Sequence, residues 1–209
     1  MQKIAAGCLG LFLIIFVIIV LVAISSYNGL VGLSQGVDKQ WAQVQTVYQR
    51  RADLIPNLVS TVSGAANFEK STLTAITEAR ASVGQVKIDP NQAPSDPEQL
   101  AKYQAAQSQM SSALSRLLVV SENYPELKAN ANFRDLQAQL EGTENRISVA
   151  RQDFNTAVQG YNTKVKTFPT VLIAGLLGFS PKPYFQADQG AQNAPKVNFD
   201  FGTTPAPAH

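Results

Sequence analysis

FRDLQAQLEGTENRISVARQDFNTAVQGYNTKVKTFP, residues 133–169, is the stretch that decides how this chain folds. Phe133, Leu140, Ile147, Phe154, Tyr161 and Phe168 recur at a strict interval of seven, and Leu136, Thr143, Ala150 and Ala157 fill the companion position. A seven-residue repeat runs an apolar stripe along one helix face and demands a partner helix against it. Asn132 and Asp135 supply acceptors suited to a helix start, and Phe168-Pro169 stops the helix. The repeat predicts a helix over 132–168 that cannot stand alone.

Its partner lies upstream. Leu30, Leu33, Val37, Trp41, Val44, Val47, Ile55, Leu58 and Val62 recur at three and four, with the phase kept across Pro56. This reads as one helix over 27–64, kinked at the proline. A helix over 70–88 carries Leu73, Ile76 and Val83. Another over 98–122 carries Leu100, Tyr103, Met110, Leu114 and Leu117, and Ser95 with Glu98 has the spacing of a capping box. The fold class is all-α: an N-terminal transmembrane helix followed by a long antiparallel four-helix, coiled-coil-like bundle over 27–169.

The first and last bundle helices have similar lengths, so an antiparallel pair matches residues whose numbers sum to about 195. The two shorter helices cover only the part distal from the N-terminal segment. The proximal stripes then need a cover, for which a second copy, the segment after Pro169 or an unrelated partner are the candidates. Residues 170–187 form a short apolar segment, too short to span a bilayer, that emerges beside the membrane; it either lies in the interface or, the plainer expectation, packs on the bundle with Tyr184 and Phe185. The tail, 188–209, is rich in Gln, Gly, Ala, Pro and Thr and is expected to be mostly disordered, with 194–199 its one stretch suited to docking.

Residues 1–26 are read as the anchor. From Ile4 through Leu13 to Ile24 there is no charged side chain. Twenty-one helical residues at 1.5 Å each reach about 31 Å, enough for a hydrocarbon core of about 30 Å. A cleaved signal peptide is the competing reading, but its apolar region is usually shorter. Cys8 precedes the apolar run, so it does not suit a lipoprotein site. Lys3 before the span leans towards an inside N-terminus and a translocated bundle. The lipid bilayer, in a bacterial cytoplasmic membrane, is the first expected partner.

Composition removes much chemistry. The chain has one Cys and one His, and that His is residue 209. No Cys-based metal site, disulfide or Cys-His pair can be assembled. Di-metal bundle sites require Glu-x-x-His motifs, which are absent here. A mixed-sign charge of +2 argues against nucleic acid. Glycine-rich phosphate loops are missing. No catalytic, cofactor-binding or metal-binding residue is assigned. Gly32-x-x-x-Gly36 is read as chance spacing, and Trp41, about 23 Å beyond the span, as core.

Several stretches together resemble the LemA family of bacterial membrane proteins. They are Arg50-Arg51-Ala52-Asp53-Leu54-Ile55-Pro56-Asn57-Leu58-Val59, the run from Glu122 to Asn130 (ENYPELKAN), Leu136-Gln137 leading to Glu144-Asn145-Arg146-Ile147, Tyr161-Asn162, Phe168-Pro169, Gly178-Phe179 and Tyr184-Phe185. Phe154-Asn155 stands where the family often has Tyr-Asn. The resemblance implies an N-terminal anchor, a long antiparallel helical domain and no established biochemical activity.

Polar residues on the apolar stripes are where specificity is expected. Arg51 falls on the apolar phase, and the sum rule sets it opposite Glu144. A contact between them is predicted, with Arg50, Asp53, Glu141 and Arg146 in the same cluster. Its plainest role is an internal ion pair that sets helix register. The functional expectation is a non-enzymatic, membrane-anchored scaffold or interaction protein of the bacterial cell envelope. It would form a homo-oligomer or recruit an envelope protein partner through the membrane-proximal part of the bundle. A sensory or ligand-binding bundle built on the Arg51 cluster is the alternative, and an enzyme restricted to carboxylates a remote third.

Overall fold

The computed structural model describes residues 2–64 and 69–187, with side chains from Leu9 onward. The expected disorder of 188–209 and docking of 194–199 lie outside the described residues. Among the described residues five α-helices follow in order: α1 (Gln2–Ser63), α2 (Lys70–Gln85), α3 (Pro97–Ser121), α4 (Pro125–Ala129) and α5 (Ala131–Lys166). A 3-10 turn, Thr170–Leu172, comes after α5. No strand occurs among the described residues.

The anchor and the first bundle helix, read separately from the sequence, form one element. α1 runs 62 residues without interruption, about 93 Å of helix. It continues through Pro56, which lies on the exposed side, where water can take the carbonyl that a missing N–H leaves unpaired. Its apolar part, Leu9 to Ile24, has its large side chains exposed all round. That distinguishes it from a core helix: it is long and apolar enough to cross a membrane, and the rest of the chain buries almost none of it.

α5 lies antiparallel along α1 in the expected register. Trp41 meets Phe154 with ring centroids 5.6 Å apart, and Arg51 meets Glu144, both pairs on the predicted sum. α2 and α3 form a hairpin against the distal part of this pair. Two helix starts differ from expectation. Asp96, not Ser95, caps α3 by accepting from the Glu98 N–H at 2.9 Å, because Pro97 takes the first helical position, where its missing N–H costs nothing. Asn130, not Asn132, caps α5, accepting from the N–H groups of Asn132 and Phe133 at 2.9 and 3.4 Å. The turn around Pro125 contains α4, which the sequence reading did not anticipate.

The core has two apolar halves. The distal half joins Ile55, Leu58, Ile76, Met110, Leu117 and Phe133, with their neighbours. The proximal half joins Leu30, Val37, Trp41, Tyr103, Phe154, Tyr161 and Phe185. Trp41 is its centre, fully buried against the rings of Tyr103, Phe154 and Phe185, with its indole N–H donating to the Asp89 carbonyl at 2.9 Å. The proximal stripes are thus covered from within the chain, by Ala93 of the α2–α3 loop and by Ala174 and Phe185 after the bundle. Gly32 and Gly36 face open space, since a Cβ at either would meet nothing within 4 Å.

Candidate functional site

Between the two halves of the core lies a polar layer. Arg51, Gln107 and Thr143 are all buried there, and Arg51 is only 2% exposed. Every apolar neighbour along α1 selects the stripe position, so the guanidinium enters the bundle and must find acceptors in it. Arg51 Nη1 donates to Glu144 Oε1 at 2.6 Å and to Ser111 Oγ at 2.8 Å. Nη2 donates to the Gln107 carbonyl at 3.3 Å and to Gln107 Oε1. Its planar face lies 5.1 Å from the Tyr48 ring centroid. The phenol of Tyr48 is itself buried, which pushes its pKa up to about 12 despite the nearby charges of Arg151 and Arg51.

Of the six residues expected to cluster here, the structure brings together Arg51 and Glu144. Arg50, Asp53, Glu141 and Arg146 are exposed on the outer faces of their helices. Asp53 accepts from Gln49 and Glu141 from Gln137, each within its own helix, and Arg50 and Arg146 make no ion pair among the described residues. The reason is angular, because adjacent helical positions point about 100° apart. The missing members of the layer come instead from α3, whose Gln107 and Ser111 complete the shell of Arg51.

Arg51 also floors a groove. Beside it α3 stands away from α5, leaving a solvent-open cleft of about 1450 Å3. Ser108, Ser111, Ser112 and Ser115 line one wall, and Glu144, Ser148 and Arg151 the other. Tyr184, Gln186 and Ala187 close its proximal end. Serine hydroxyls and glutamine amides supply most of the polar groups, set among apolar lining from Leu100, Ile147 and neighbouring alanines. Ser111 is held by a guanidinium, which cannot serve as a base, and the nearest carboxylate, Glu144, is committed to the same guanidinium. Among the described residues no group of three metal-ligating side chains comes together.

The proximal end of the groove is built by a strap, residues 180–187, which runs antiparallel to α5 in extended form. Three amide side chains hold it by pairing with its backbone in both directions. Asn162 donates to the Lys182 carbonyl and accepts from its N–H, each at 2.8 Å. Asn155 does the same for Phe185 at 3.0 and 2.9 Å. Gln104 of α3 does it for Gln186 at 2.6 and 3.1 Å. Lys182 reaches across to Asp38 of α1 at 2.9 Å, and this carboxylate is more enclosed than Glu144. Asp38 also accepts from the Ala93 N–H, so a single carboxylate ties strap, α1 and the α2–α3 loop together. Packing of this segment on the bundle was expected and holds for Phe185, while Tyr184 stays exposed; the polar contacts were not anticipated. The available signal was Phe154-Asn155 followed by Tyr161-Asn162, an aromatic-amide pair repeated at the interval of seven.

Known proteins share much of this chain. It is 28% identical to the magnetosome proteins MamQ 1 and MamQ 2 of Paramagnetospirillum magneticum, over 77% of its own length and 64% of theirs. It thus spans less than two thirds of those relatives. It is 25% identical to protein LemA of Metamycoplasma hominis, over 90% of this chain and 84% of that one. None of these names denotes an enzyme. The profile of the LemA family matches residues 40–199, which takes in the polar layer, the groove and the strap. The chain belongs to the LemA family, as a membrane-associated helical protein with a candidate N-terminal transmembrane helix.

Proposed function

We propose that this protein is a non-enzymatic, membrane-anchored scaffold of the bacterial cell envelope that recruits a protein partner through the groove between α3 and α5. One observation carries the reading. A single helix of 62 residues leaves the apolar span and becomes the spine of the bundle, so the groove is held at a set height and direction above the bilayer. The sequence pointed to the membrane-proximal half as the recruiting surface because its stripes lacked a cover. The strap and the α2–α3 loop now supply that cover, which moves the open surface to the groove. The span lies in the cytoplasmic membrane, with the bundle on its outer side. The names of the relatives carry no reaction, which fits a structural role.

Native mass spectrometry of the full chain, released from its membrane in lipid nanodiscs, tests this. We expect assemblies heavier than the 22.5 kDa protomer, at reproducible stoichiometry. They should disappear when Ser112→Arg and Ser115→Arg obstruct the exposed groove wall. A protomer without companions in its own membrane refutes the scaffold. A second reading, a ligand-binding bundle, is favoured by the buried Arg51 on the groove floor. It predicts instead that the protomer carries a small molecule whose retention depends on Arg51.

A further inference from the structure

We propose that residues 168–177 form a second membrane contact, a loop whose apolar side chains enter the bilayer beside the span. The inference rests on the reading of residues 4–24 as a membrane anchor. α5 descends antiparallel to α1, and the Lys164 side chain comes 3.8 Å from where a Cβ on Gly29 would stand. After the loop the chain returns at Phe179, whose ring meets Tyr27 with centroids 5.7 Å apart. The loop therefore leaves the bundle at the level of residue 29 and rejoins it at residue 27. Tyr27 is three residues past Ile24, or about 4.5 Å above the apolar run, which is headgroup depth.

The loop is divided as such a position requires. Thr170 and Ala174 are buried against the bundle, and Ser26 of α1 is buried too, so the packed core reaches down to the end of the span. The opposite side is exposed and apolar. Phe168 is 75% exposed, Leu172 66% and Leu176 88%, with Val171 and Leu177 beside them. Ten large apolar residues beyond Ile24 are exposed among the described residues, and five of these fall within 168–177. A scatter over a soluble surface would not concentrate them at the one place where lipid is expected. No charged residue occurs between Lys166 and Lys182, so insertion desolvates no ion. Lys164 and Lys166, in the last turn of α5, sit where they can reach lipid phosphates. The occupant is thus a bilayer: the patch is continuous with the span, and its flanking charge is complementary to headgroups.

Spin labels on the full chain in phosphatidylcholine–phosphatidylglycerol vesicles test the proposal. In a Cys8→Ser background, single cysteines replace Leu176, Val149 on the outer face of α5, or Leu13 in the span. Accessibility to lipid-soluble oxygen is compared with accessibility to a water-soluble nickel chelate. The expected result is an oxygen-to-nickel ratio at position 176 several-fold above that at 149 and of the same kind as that at 13. If 176 matches 149 while 13 reports lipid, the loop contact is wrong and the anchor stands. If 13 reports water, the anchor reading itself fails. If 176 is shielded from both agents and broadened by spin–spin coupling that dilution with unlabelled protein removes, a second copy covers the patch and the proposal is overturned.

Discussion

Arg51 offers the sharpest energetic test, because its charge is buried while that of its partner is not. Arg51→Met keeps much of the volume and removes the four donated hydrogen bonds to Ser111, Glu144 and Gln107. Bonds from a charged donor contribute about 1.5–3 kcal/mol each in isolation, but the groups they leave behind differ. Glu144 is 41% exposed and can turn to water, as can Ser111 at the groove wall, whereas the Gln107 amide remains buried. The net cost is then about 2–4 kcal/mol, and it falls chiefly on Gln107. Glu144→Gln removes only the screened ion pair, leaving Arg51 its other acceptors, and should cost about 1 kcal/mol. The assay is urea unfolding of the full chain in detergent, followed by Trp41 fluorescence, for both single variants and the double. Once Arg51→Met is in place, adding Glu144→Gln should cost nothing, a coupling of about 1 kcal/mol. A strictly additive double variant, or an Arg51→Met effect below about 0.5 kcal/mol, would falsify the polar layer as an energetic unit.

Three further outcomes follow from the geometry. Tyr48 titrates in the fold near 12 and in an unfolded chain near 10, so between these values the unfolded state sheds its proton first and is favoured; stability should hold up to pH 10 and drop by about 2–3 kcal/mol approaching pH 12, read as a falling urea midpoint. Burial raises the Tyr103 phenol as well, which adds in the same direction. Asn162→Ala breaks the double clamp on Lys182 and should lower stability by about 1–3 kcal/mol. Protease cleavage should then appear within 170–187 and Trp41 emission should shift to the red, since Phe185 stacks on that indole, while helical circular dichroism stays constant. The buried Thr170 hydroxyl finds no hydrogen-bond partner among the described residues, so the isosteric Thr170→Val should be neutral or stabilise by up to about 1 kcal/mol; a loss beyond about 1 kcal/mol shows that the hydroxyl is engaged.

The helices and their register were legible because they rest on periodicity. A stripe at intervals of seven on α5 and one at three and four on α1 can face each other in few ways, and the matched helix lengths then set Trp41 opposite Phe154 and Arg51 opposite Glu144. The helix starts were less legible. Ser95 and Asp96 are both capping residues, and only the position of Pro97 discriminates between them. Arg50, Asp53, Glu141 and Arg146 were grouped with Arg51 by nearness in sequence, which a helix converts into divergence around its axis. That the segment after the bundle packs back on it through Phe185 was legible, but the way it is clamped was not. The clamp takes hold of the strap's own backbone atoms at residues 182, 185 and 186, and an extended segment that offers backbone to three amides needs no side-chain pattern of its own. Nor could the sequence show that the anchor and bundle share a helix, because hydropathy changes at Ile24 while helical hydrogen bonding does not.

That shared helix is the premise of the whole account, since a groove held rigidly above the membrane requires a stalk without a joint. Spin labels at Leu13→Cys in the span and Val149→Cys on α5, in the Cys8→Ser background, measure it directly by double electron–electron resonance in nanodiscs. Val149 stands opposite residue 46 of α1 by the register of Arg51–Glu144, which puts 33 helical residues, or about 50 Å, between the two labels. The account predicts one narrow distance distribution centred near that value. A broad distribution, or one centred well below it, would show a hinge between span and bundle and contradict the rigid stalk.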